Sequence, residues 1–143
     1  MRDDDRLYHL LVVAAHAARR HTDTRLRELA GVTAAQAAAL FALAEQPGRS
    51  QRDLAATLSV NEPAVAEMVA RLVAAGLVVR SRSSSDGRTM ELRLSQAGQE
   101  ALGRVRPAVA ELNADLFGAA SDEDLAAFRR VLASITARVT PNP

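Results

Sequence analysis

The chain has 143 residues, 48% of them apolar and only 3% aromatic, with a formal net charge of +1. That length suits one globular domain with a real core, and the aliphatic composition favours helix packed on helix. The absence of cysteine excludes disulfides, thiolate catalysis, cysteine zinc sites and thiol redox sensing, while the absence of lysine leaves arginine as the only fixed cation, suited to bidentate contact with phosphate or carboxylate.

The opening MRDDDR is acidic, and no stretch reaches about 18 apolar residues, so neither a signal peptide nor a membrane span is expected, and the expected location is the cytoplasm. Asp3 to Asp5 precede an apolar run from Leu7 to Ala18, with Arg19 and Arg20 beyond. This is the acidic start and basic end of a helix that is apolar nearly all round. A terminal helix of that kind needs several partners, of which a second subunit is the obvious extra one. His9, His16 and His21 fall on or just after it at offsets that fit one face only loosely, so no metal site and no cofactor are expected. His16 is either a satisfied interface histidine or a polar group in a small-molecule pocket.

Thr33 and Gln36 form a capping box for a helix through Leu40, Phe41 and Leu43, closed by Pro47 and Gly48. Ser50 and Asp53 open a short helix with Leu54, Ala55 and Leu58 on one face; Ser59, Val60 and Asn61 break it. Asn61 and Pro63 restart a longer helix whose stripe is Val65, Met68, Val69, Leu72 and Val73, ended by Gly76. Leu77 to Arg82 and Thr89 to Leu94 alternate as strands about the turn Ser83 to Gly87. Ser95 begins a long helix with Leu102, Val105, Val109, Leu112 and Leu116 on one face and a bend expected near Pro107. Ser121 and Asp124 cap a last helix bearing Leu125, Phe128, Leu132, Ile135 and Val139. The fold class expected is mainly α with a small β-hairpin wing: a winged helix-turn-helix with a helical dimerisation region. No enzyme motif is present: the chain lacks G-x-S-x-G, a phosphate loop, G-x-G-x-x-G and a paired-histidine metal motif.

In helix order, and in the run G76-L-V-x-R80, D86-x-R88, L92-x-L94-S95-x-x-G98, the chain resembles the MarR family of bacterial transcription regulators over nearly its whole length. The resemblance implies one MarR-like domain over 1–143, with a winged DNA-binding part at 33–94 and a helical dimerisation part at 1–30 and 95–140. It implies a homodimer on a pseudopalindromic double-stranded operator, commonly a repressor released by a small aromatic or phenolic effector. It also implies Arg88 as a wing-tip minor-groove arginine, Asp86 as the residue holding the wing turn, and the exposed side of Asn61 to Arg71 as the major-groove element. Within that element Asn61 is a helix cap first and a DNA contact second. Arg71 serves either a phosphate or Glu67, and Arg52 either a phosphate or a surface ion pair. Arg82 joins the wing's cationic set, with Arg49, Arg80 and Arg93 nearby. His16 and Phe41 are the pocket candidates, although Phe41, like Phe117 and Phe128, is most simply a core residue.

One departure stands out. Glu62, Ala64, Ala66 and Glu67 occupy the start of the recognition helix, where the family shows hydroxyl and basic residues. Alanine meets only a thymine methyl, and glutamate repels phosphates. The expected function is therefore a dimeric DNA-binding regulator relying on its wing and on DNA shape. The alternative is a winged-helix dimer with weakened or lost operator binding, acting as a protein-interaction or small-molecule-binding module.

Overall fold

The computed structural model describes residues 6–139; the acidic opening at Asp3 to Asp5 and the tail from Thr140 to Pro143 lie outside the described residues. In chain order the elements are α1 (Leu7–Ala30), α2 (Ala34–Glu45), α3 (Gln51–Leu58), α4 (Glu62–Ala74), β1 (Val78–Arg82), β2 (Met90–Leu94), α5 (Gln96–Phe117) and α6 (Asp122–Val139). The chain divides after Ala110 into two compact units.

In the first unit, α1 does not end at the basic pair Arg19 and Arg20 but continues to Ala30. Nothing in Thr22-Asp23-Thr24 breaks a helix, and Leu26 and Ala30, one turn apart, are both buried. Gly31 then stops it at φ 72°, its N–H bonded to the Arg27 carbonyl, a left-handed cap that glycine adopts without penalty. The corner into α2 is tied twice: Thr33 and Gln36 cap reciprocally, and Asp23 Oδ1 accepts from the Ala34 N–H at 2.8 Å. Leu40, Leu43, Leu54, Val65, Val69, Leu72, Val78 and Leu92 are fully buried and form the aliphatic centre expected from the near absence of aromatics.

The sheet is a two-stranded antiparallel hairpin in the register Val78 to Leu94 and Arg82 to Met90. Its base is widened by an isolated bridge in which Gly48 N–H donates to the Leu92 carbonyl (2.9 Å) and Leu92 N–H to that of Arg49 (2.8 Å). The start of α5 is locked to that base. Ser95 N–H donates to the Leu77 carbonyl, Ser95 Oγ to the Gly76 carbonyl, and Gly98 N–H to Ser95 Oγ. A Cβ at Gly98 would lie 2.0 Å from the Leu77 carbonyl oxygen, so only glycine fits.

The second unit holds the end of α5 and all of α6. Ser121 Oγ accepts from the Asp124 N–H and donates to its carboxylate, and the Phe117 and Phe128 rings lie 6.1 Å apart at 47°. No residue of α6 is buried. Phe128, Val131, Leu132, Ile135 and Val139 form an exposed apolar stripe at helical spacing. On α1, Leu7, Tyr8, Leu10, Leu11 and Val13 are likewise exposed in the single chain. Among the described residues no single helix is long and apolar enough to cross a membrane.

Candidate nucleic-acid interface and the adjoining groove

The helix-turn-helix is α3, a three-residue turn, and α4. Ser50 and Asp53 cap α3 reciprocally. Ser59 ends it at φ 54°, and among the described residues it is the one non-glycine in the left-handed region. Asn61 Oδ1 accepts from the Ala64 N–H at 2.9 Å and Pro63 occupies the first turn, so Asn61 is a cap in geometry as in sequence. Burying Val65, Val69 and Leu72 turns Glu62, Ala64, Glu67 and Arg71 outward, while Ala66 and Met68 are half-buried. Two candidate phosphate ligands are met by acids on this surface. Arg52 Nε lies 3.8 Å from Glu62 Oε1 across the turn, and Arg71 pairs with Glu67 one turn earlier on α4.

The wing tip is built by its own polar groups. Asp86 Oδ1 accepts from the N–H groups of Arg88 (2.8 Å) and Thr89 (2.9 Å), and Oδ2 accepts from the Thr89 hydroxyl. The Thr89 N–H, the Arg88 N–H and then the Thr89 hydroxyl hold the Asp86 carboxyl below its ordinary range by bonding its charged form. Ser83 N–H donates to the Thr89 carbonyl, Gly87 N–H to the Ser83 carbonyl, and Arg82 Nη1 to the Gly87 carbonyl. Arg88 stands exposed at the end of this braced turn. Two other arginines of the expected cationic set are engaged within the fold. Arg49 donates to the Ala42 carbonyl and the Thr57 hydroxyl, and Arg93 pairs with Glu91 at 3.0 Å.

Beside α4 lies an open groove of about 800 Å³, walled by α1, α2 and the helix-turn-helix. Its apolar lining is largely alanine, with Leu58, Val60 and Met68; His16, Arg19, Thr22, Gln36, Glu67 and Arg71 supply the polar groups. Of the two pocket candidates the structure places His16 here and Phe41 elsewhere. The Phe41 ring lies 5.4 Å from the Arg106 guanidinium carbon, a cation–π contact that takes it out of the groove lining. Arg19 was missed by sequence reading because it looked like a helix end. Its offset of one turn from His16 on a helix that continues was the available signal. Among the described residues no three His, Asp or Glu side chains converge on a point that would hold a metal.

Paired capped helices, a close-packed glycine joint and a hairpin with a braced tip define a winged helix-turn-helix protein. The model of the MarR family matches residues 30–89, the span from the end of α1 through the wing. Over that stretch, which holds the whole helix-turn-helix, the chain is similar to the MarR family of transcription regulators. It is similar, at 33% identity over 94 residues, to a Thauera aromatica protein assigned as the transcriptional regulatory protein for the hcr operon; the match covers 66% of this chain and 57% of that one, just over half of the relative's length. Among solved structures it is similar to the PcaV transcriptional regulator of Streptomyces coelicolor in complex with its natural ligand, at 25% identity, TM-score 0.86 and 98% coverage of both chains. The fold is also that of Sco3205 from the same organism in complex with DNA, at 23% identity and TM-score 0.90, covering 99% of this chain and 91% of that one.

Proposed function

We propose that this chain is a dimeric DNA-binding transcription regulator, acting as a repressor that a small molecule in the α1, α2 and α4 groove releases from DNA. The observation that carries the reading is the braced wing. Its tip is held by three hydrogen bonds to Asp86 and presents Arg88 to solvent next to a capped helix-turn-helix. Phosphates would be met by the exposed guanidinium groups, and the arginine at the tip suits a narrow minor groove. A groove open to solvent and walled partly by α4 supports a ligand-responsive reading, as does the fold shared with PcaV, a regulator with a natural ligand.

A second reading is favoured by the two ion pairs. Glu62 and Glu67 partly neutralise Arg52 and Arg71 on the face that would meet the major groove, which suits a winged-helix module whose operator binding has weakened. Fluorescence anisotropy with duplex DNA flanking the chain's own gene, titrated at several salt concentrations, separates the two. A regulator binds with a steep negative dependence of log K on log salt, whereas a module without operator binding shows no saturable titration.

A further inference from the structure

We propose that Glu67 is the base-reading residue of α4, its carboxylate accepting a hydrogen bond from the N4 amino group of a cytosine in the major groove, with Arg71 as the positioning residue that neutralises and orients it. The proposal rests on the DNA-binding reading above and names the sequence feature which that reading leaves open. Burial of Val65, Val69 and Leu72 fixes which side of α4 faces away from the core. Pro63, Glu67, Ala70 and Ala74 follow one another along that side at steps of four, three and four residues, and all are exposed. Proline and alanine side chains form no hydrogen bonds, so Glu67 is the one side chain on this line able to bond a base edge. Their small size also lets the helix settle deep enough in a major groove for the glutamate stem to reach the bases. Glu67 lies in the N-terminal half of α4, the part of a recognition helix that meets base edges.

A lone carboxylate on that side would be repelled by the phosphates. Here Oε1 accepts from Arg71 Nη2, so the two charges cancel as the helix approaches the duplex, however little the exposed pair adds to stability. Among the described residues Oε2 accepts from no protein group, and the side chain is 68% exposed. A carboxylate oxygen only accepts, so it needs a donor on the base. In the major groove guanine and thymine present no donor, and adenine presents its N6 amino group beside the acceptor N7, which repels a carboxylate. Cytosine N4 is the one donor with no acceptor beside it on the same base. Glu62, the other acid of α4, lies off the line and 3.8 Å from Arg52 across the turn, so it is not assigned to a base.

The test uses the full chain and a pool of duplexes with a randomised segment, selected for binding, sequenced, and followed by anisotropy on the enriched duplex and its single-base variants. The parent is expected to enrich duplexes that share a cytosine at one fixed position of the half-site, and replacing that base pair should weaken binding about fivefold or more. Glu67→Gln sets an acceptor and a donor side by side, the match for adenine N6 and N7, so the preferred base there should change from cytosine to adenine while the rest of the selected sequence is kept. Glu62→Gln removes the same charge and serves as the control: it should raise affinity for all duplexes alike and leave the cytosine preference in place. Arg71→Gln should narrow that preference as well as lower affinity, with an unchanged melting temperature because the side chain is exposed. Lowered affinity with the full preference retained would overturn the positioning role of Arg71. The absence of salt-dependent duplex binding in the parent overturns the DNA-binding reading and this proposal with it. Salt-dependent binding in which Glu67→Gln selects the parent's sequence, or shows only the uniform gain expected of Glu62→Gln, overturns the proposal alone.

Discussion

At the wing tip one aspartate organises the turn and one arginine projects from it, so the two can be separated by substitution. Arg88→Ala should leave the fold intact and weaken operator binding by about 1 to 3 kcal/mol, with the salt slope falling by about one ion, the signature of a single lost groove contact. Anisotropy at several salt concentrations measures both quantities, and an unchanged slope would place the affinity in α4 instead. Asp86→Ala should weaken binding through Arg88, whereas Asp86→Asn, which keeps an acceptor for the two N–H groups, should weaken it less. The Asp86 carboxyl is depressed in the folded protein, so its contribution is complete above the unfolded value of about 3.9 and is lost as pH falls through the lower folded value. Hydrogen exchange at the Arg88 and Thr89 amides should therefore be flat from neutral pH down to about pH 4, once the intrinsic pH dependence is removed, with protection falling only below it. Loss of protection between pH 5 and 7 would mean that another group holds the turn.

Four of the helices, α2, α3, α4 and α6, begin where short polar signals say they begin. Thr33 with Gln36, Ser50 with Asp53, Asn61, and Ser121 with Asp124 all cap as their types and spacing require, because a cap is a local arrangement of four residues. The end of α1 was not legible at Arg19 and Arg20, since a basic pair is compatible with a helix end without causing one; the stop needed Gly31. Nor could sequence place Arg49, whose donors go to Ala42 and Thr57 and whose carbonyl pairs with Leu92, contacts fixed by how three different elements pack together. The groove was illegible for the same reason: four separate helices make it, and of its lining only His16 is a pocket candidate by sequence. The run S95-x-x-G98 was readable as a motif but not as a joint. With the Leu77 carbonyl 2.0 Å from any added Cβ, Gly98→Ala must move α5 away from the base of the hairpin. We expect a loss of about 2 to 4 kcal/mol by chemical denaturation, in the range of strained or overpacked sites. Ser95→Ala, which removes a hydroxyl that accepts from Gly98 and donates to Gly76, should cost about 1 kcal/mol.

Considered whole, the chain exposes rows of large apolar side chains on its first and last helices. Tyr8 is 79% and Val139 72% exposed, and each belongs to a row of exposed apolar neighbours on its own helix. A dimer covering these faces should sediment as a dimer at micromolar concentration. Ile135→Asp places a charge on a face that is open in the single chain, so it should act through assembly: a shift toward monomer with a lowered melting temperature. A dimeric parent whose mass and melting temperature survive Ile135→Asp unchanged would exclude that face from the interface. If two wings and two copies of α4 engage one duplex, footprints should show paired half-sites centred about one helical turn apart, roughly 10 base pairs. A single unpaired half-site would count against two-fold docking.

The alanines around the groove set how readily its contents can change. Ala15, Ala18, Ala34, Ala35, Ala38 and Ala64 all line it, and none of them is among the buried residues of the core. A methyl group in such a place can be enlarged without opening a void or straining a packed centre. Each is a position where one nucleotide change alters the shape of the chamber while the scaffold keeps its stability. On the ligand-responsive reading proposed above, descendants of this chain can acquire new chemical tastes in single steps, and a saturation library at these six positions, sorted by DNA release, should yield altered effector profiles far more often than unfolded protein.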